Sequence, residues 1–88
     1  MSMSLGKQNP SGPFARAISA EVRATMARQR VSGAKLAADA GLSPSYLSKR
    51  LRDDLPFTLN DIDAVCSALG ENLETIVATA ARTAANER

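Results

Sequence analysis

Apolar positions return at helical spacing through most of the chain. Phe14, Ile18, Val22 and Met26 recur every four residues. They predict the inner stripe of a first helix that starts near Pro13, a residue suited to a first turn. Ser32 is a good N-cap for a second helix over residues 33–40, with Leu36, Ala37 and Ala40 facing inward. Gly41 ends it, because glycine accepts a left-handed backbone at low cost. Ser43 caps a third helix, Pro44 occupies its first turn, and Leu47 and Leu51 point inward one turn apart. The segment RDDLPF breaks that helix before Pro56, and Phe57 is read as a core plug for the connection. Thr58 and Asp61 have capping-box spacing, with Asp in place of the usual Glu or Gln. Helix 4 then carries Leu59, Ile62, Val65, Cys66 and Leu69 as its stripe, and Gly70 closes it. A fifth helix begins near Asn72 with Leu73, Ile76, Val77 and Ala80. The division expected is an arm over 1–11, one domain over 12–82 and a fraying, alanine-rich tail over 83–88.

Composition narrows the class. At 88 residues the chain holds one domain, and its three aromatic side chains, Phe14, Tyr46 and Phe57, with abundant alanine favour short helices over a sheet. No apolar run approaches a membrane span, and the start of the chain lacks the apolar stretch of a secretory signal, so a cytoplasmic protein with no membrane partner is expected. There is one cysteine, Cys66, read as a buried thiol, and no histidine. An internal disulfide, histidine catalysis and a His-based metal site are thereby excluded, and neither metal nor cofactor is expected. Ser19 and Ser48 have no neighbouring base, so the chain is not read as an enzyme.

Charge adds a polarity that the net +2 conceals: residues 1–52 carry nine basic and two acidic side chains, residues 53–88 two basic and seven acidic. One face drawn to a polyanion would give this pattern, and so would uneven solvated charge.

Helix 2, a three-residue turn and helix 3 have the form of a helix-turn-helix. Ala37 is small where the second helix crosses, and Gly41 permits the sharp bend. Leu36, Ala40, Leu42 and Leu47 lock the pair at a fixed angle. Such a rigid pair can push its second helix into a major groove.

On these residues the stretch from Ile18 to Val77 resembles the phage-repressor, Cro and Xre family of DNA-binding domains. The matching segments are ISAEVR in helix 1, SGAKLAADAGLS across the turn, PSYLSKRL in helix 3 and PFTLNDIDAVCSALG in helix 4. The resemblance implies an all-α, five-helix, lambda-repressor-like fold with its helix-turn-helix at helices 2 and 3. It also implies sequence-specific binding of double-stranded DNA. Base reading then falls to Pro44, Ser45, Tyr46 and Lys49, with Ser45, Lys49 and Arg52 opposite the core and Tyr46 and Ser48 on the flanks. Lys49 can donate to guanine, and Tyr46 can offer its hydroxyl or its ring edge. Phosphate contacts fall to Ser32, Gly33 and Lys35 at the start of helix 2, to Ser43, Ser48, Arg50 and Arg52 around helix 3, and to Thr58 and Asn60 at the start of helix 4. Arg50, beside the core stripe, either reaches a phosphate or pairs with Asp54. Asp53 and Asp54 either tune affinity down or orient Arg50.

Two departures from the family stand out. Many members carry Gln at the first residues of helices 2 and 3, where this chain has Gly33 and Pro44, so the bidentate contact of Gln to adenine is absent. Some pair a basic residue late in helix 1 with a carboxylate late in helix 3; here Met26 and Leu51 make that contact apolar. Arg23 is open between solvent and bracing an acidic group in helix 4 or 5. Helix 5 likewise has two readings, a fraying end or a homodimer contact through Leu73, Ile76, Val77 and Ala80. The function expected is a transcriptional regulator, best read as a phage-type or bacterial repressor that occupies an operator, with no small-molecule ligand. The alternative is an antitoxin-type module whose main role is to bind a partner protein, with DNA binding for autoregulation.

Overall fold

The computed structural model describes residues 10–87, so the expected arm lies outside the described residues except for its last two positions. Five helices follow in order: α1 (Pro13–Gln29), α2 (Gly33–Ala40), α3 (Pro44–Leu51), α4 (Leu59–Leu69) and α5 (Leu73–Asn86), with no strand among the described residues. Four helices start on a side-chain cap. Ser32, Ser43, Thr58 and Asn72 accept the backbone N–H of Lys35, Tyr46, Asp61 and Thr75 respectively. These bonds satisfy donors that the helix leaves open, so each start is set by residues three apart in sequence. At Thr58 the box is complete, since Asp61 returns a carboxylate oxygen to the Thr58 N–H. Gly41 and Gly70 close α2 and α4 at φ 72° and 66°. Arg30 closes α1 in the same left-handed region, at φ 56°, a stop that the sequence does not advertise.

Two apolar clusters lie side by side. Ala17 and Ile18 of α1, Ile62 and Cys66 of α4, and Ile76, Ala80 and Ala84 of α5 form one. Val22 of α1, Leu36 and Ala37 of α2, Leu47 of α3, and Val65 and Leu69 of α4 form the other. Phe57 packs against both and ties the α3–α4 connection to the interior. Small residues at Ala17, Ala80 and Ala84 let α1 and α5 lie close. These helices run antiparallel. Arg16 near the start of α1 pairs with Glu87 beyond the end of α5 at 3.2 Å, while Gln29 at the end of α1 donates to the Leu69 carbonyl just ahead of α5.

Four expectations need correction here. Phe14, one residue into α1, is 40% exposed rather than on its buried stripe. Leu59 is 89% exposed rather than part of the α4 stripe. It is the first residue of its helix, and helical side chains lean toward the N-terminus, so Leu59 projects past the core instead of onto it. The alanine-rich end read as fraying is helical through Asn86, with Ala84 buried against α1. Finally, Ile76 and Ala80, assigned to a dimer contact, are consumed by the core beneath α1. A single helix stripe cannot serve the interior and a partner at once, so of that set Leu73 and Val77 alone keep exposed surface.

Candidate nucleic-acid interface

The bend between α2 and α3 is built by the backbone at Gly41. Its N–H donates to the Ala38 carbonyl, and the Leu42 N–H donates to the Ala37 carbonyl at 2.9 Å. These two bonds close the end of α2 in a left-handed cap. Leu42 then packs on the inner cluster, and Ser43 starts α3 three residues after the end of α2. Ala37 is fully buried in that cluster, with Leu47.

With Leu47 held inward, α3 turns Pro44, Ser45, Lys49 and, at its C-cap, Arg52 to solvent, while Tyr46 and Ser48 are half-buried on the flanks. Lys49 makes no side-chain ion pair or hydrogen bond among the described residues. Arg52 is held along the surface by the Ser48 hydroxyl and by Asp54 at 2.8 Å. Gly33, at the start of α2, meets Pro44, Ser48 and Arg52 in a shallow hollow of about 250 Å³. Ser32 and Lys35 are exposed beside it, and Lys35 pairs with Asp39 at 2.9 Å. The start of α4 presents Thr58 and Asn60, both exposed. The starts of three helices thus offer backbone N–H groups and short polar side chains, the donors that an anion at a helix N-terminus takes up.

Arg50 and Tyr46 depart from what was expected. Arg50 is 8% exposed, its guanidinium stacked over the Tyr46 ring 3.6 Å from the centroid, with its Nε unpartnered. Stacked in this way, the guanidinium lies along the body of the domain, and the pairing with Asp54 is taken by Arg52. The Tyr46 hydroxyl has its proton committed: it donates to Asp61 Oδ2 at 2.7 Å. That bond to a carboxylate raises the phenol above its ordinary pKa, and partial burial adds to it. Asp53 also goes elsewhere than to Arg50. It accepts the Ser19 hydroxyl and lies 3.6 Å from Arg23, which therefore braces the end of α3 and not an acid of helix 4 or 5.

Sequence spacing marks neither Asp61 nor Ser19 as a partner of these groups. The Thr58–Asp61 spacing does mark Asp61 as a cap, but nothing in it points to a tyrosine 15 residues away. On the far side of α4, Phe14, Phe57, Leu59, Leu73 and Val77 line an apolar groove of about 530 Å³.

Comparison with known proteins agrees with this geometry. Residues 21–81 match the model of the Cro/C1-type helix-turn-helix DNA-binding domain. Two crystal structures of the clp gene regulator ClgR from Corynebacterium glutamicum are similar at 28% identity. One has a TM-score of 0.73 over 81% of this chain and 92% of that one, the other 0.77 over 89% and 83%. A hypothetical transcription factor, NHTF, from Neisseria is similar at 25% identity, with a TM-score of 0.65 over 86% of each chain. No curated protein sequence matches the chain.

Proposed function

The chain belongs to the Cro/C1-type helix-turn-helix DNA-binding family, and on that premise we propose that it is a transcriptional repressor which occupies an operator through α3. A DNA-binding regulator of transcription is also what the likeness to a clp gene regulator supports. The observation that carries the reading is the outer face of α3: Ser45 and Lys49 stand exposed, and Lys49 spends its charge on no neighbour among the described residues. A free ammonium on a rigid helix is suited to donate to guanine O6 or N7. Pro44 and the Tyr46 ring edge offer apolar contact to a thymine methyl beside it. Phosphates on either side are taken by Ser32, Gly33, Lys35, Ser43, Ser48, Arg52, Thr58 and Asn60, the backbone N–H groups of the helix starts supplying part of the hold. Two copies pair on a two-fold operator through the apolar surface left outside the core, where Phe14 and Leu73 are 40% and 41% exposed beside Leu59 and Val77.

Selection of bound fragments from random duplex DNA tests all of this. The expected product is one enriched sequence with two-fold symmetry, its half-sites about one DNA turn, roughly 34 Å, apart. Binding to it should weaken with salt, log K falling by about 0.9 per phosphate contact per decade. Lys49→Ala should cost about 1–3 kcal/mol on that site and leave the fold intact. A pool that enriches no sequence overturns the reading, as does affinity indifferent to salt. An asymmetric site overturns the pairing alone.

A further inference from the structure

The reading helix is tied to α4 by one hydrogen bond whose two ends are the equivalent positions of the two helices. Tyr46 is the third residue of α3 and Asp61 the third residue of α4, and hydroxyl and carboxylate meet at 2.7 Å. The same oxygen, Asp61 Oδ2, accepts the Thr58 N–H at 2.9 Å and so also caps α4. Between the backbones of α3 and α4 no Cα atoms come within 8 Å among the described residues. Side chains alone bridge the two helices, and this is the polar bridge. Tyr46 is fixed on its other sides as well: its N–H by the Ser43 cap and its ring face by the Arg50 guanidinium.

We propose that Asp61 is a positioning residue for DNA selectivity: through the Tyr46 hydroxyl it locks the roll of α3 to the start of α4, so that base reading and phosphate anchoring keep one register. The inference rests on α3 being the reading element. Its physical basis is leverage. α3 spans eight residues, Leu47 is its only fully buried apolar side chain, and Leu51 is only half-buried. So short an apolar stripe resists rotation weakly by itself; the Arg23 bond to the Leu51 carbonyl opposes it at the C-terminal end of α3, and the Tyr46–Asp61 bond opposes it at the N-terminal end. A roll of about 10° carries a group roughly 8 Å from the axis, such as a lysine amine, by about 1.4 Å, enough to take a hydrogen bond out of range. A tyrosine hydroxyl at the flank, anchored to a different helix, opposes that roll. Because Asp61 is fixed in turn by its own cap, a phosphate gripped at the start of α4 sets where the face of α3 lies.

Tyr46→Phe is the decisive variant, since it keeps the ring under Arg50 and leaves the Thr58–Asp61 box whole. The assay measures affinity for the selected site, for each of its single base-pair changes and for random duplex. The strut predicts that preference for the selected site over random duplex falls about tenfold, spread over every base pair that α3 reads. Asp61→Asn should retain the preference, because one amide oxygen can accept from both Tyr46 and Thr58. Ile62→Val, which loosens the core of α4 without touching the bridge, should leave selectivity unmoved, and so separates positioning from stability. Parental selectivity in Tyr46→Phe overturns the proposal. So does a loss confined to one base pair, which would make the hydroxyl a direct reader. A parent chain that enriches no site at all removes instead the reading of α3 on which the inference stands.

Discussion

Arg23 and Asp53 meet 3.6 Å apart across the seam between the middle of α1 and the second residue after α3. Asp53 also accepts the Ser19 hydroxyl, and Arg23 donates to the Leu51 carbonyl at 2.6 Å. Asp53 itself sits at φ 64°, a left-handed conformation that Asp and Asn tolerate better than other side chains with a Cβ. A charged link from α1 to the end of the reading helix is thus present, three residues before Met26 on α1 and two after Leu51. Arg23 thereby takes the carbonyl of the last residue of α3.

Asp53→Ala should accordingly cost about 2 kcal/mol, since it removes the acceptor shared by Ser19 and Arg23 and leaves alanine in a left-handed backbone. Asp53→Asn, which keeps both the acceptor and the backbone tolerance, should cost less than about 1 kcal/mol. Arg23→Ala belongs with the smaller loss, because its side chain is 47% exposed and solvent screens the pair. Urea unfolding of the three variants, at unchanged slope, checks the order. An alanine variant no weaker than the asparagine one would remove the role given to Asp53.

Cys66 is buried between α1, α4 and α5, and that burial raises its thiol above the ordinary value of 9.0. An acid whose folded pKa is raised releases its proton more readily when unfolded. Its contribution to stability is therefore whole below the unfolded pKa and is lost as pH rises through the folded one. The gap in unfolding free energy between the parent and Cys66→Ala should narrow as pH rises above 9.0. Labelling by a maleimide near neutral pH should be slow in the folded protein and follow the opening free energy as urea is added. Rapid labelling without denaturant would contradict the burial.

Ala84 and Ala85 separate a packed end of α5 from a frayed one, because the first is buried and the second exposed. Ala84→Asp places an unpaired charge against α1 and should destabilise by about 2–4 kcal/mol. Ala85→Asp should change stability by no more than about 0.5 kcal/mol. Equal and small effects in thermal unfolding would return residues 83–86 to a fraying tail.

What could be read without coordinates was local. Four N-caps lie three residues from the N–H that they accept, Gly41 and Gly70 mark two bends with a left-handed backbone, and the apolar stripes repeat within one turn. Such signals are set by neighbours along the chain, and the five helices followed from them with their starts in place. The exposed placement of Ser45 and Lys49 followed as well, because a helix with Leu47 inward leaves them nowhere else to go. Tertiary structure alone decided how the helices meet. It put Ile76, Ala80 and Ala84 under α1, left Leu59 outside, laid Arg50 over Tyr46 and joined Tyr46 to Asp61. Those outcomes depend on the roll and crossing of whole helices, which residue spacing within any one of them does not specify.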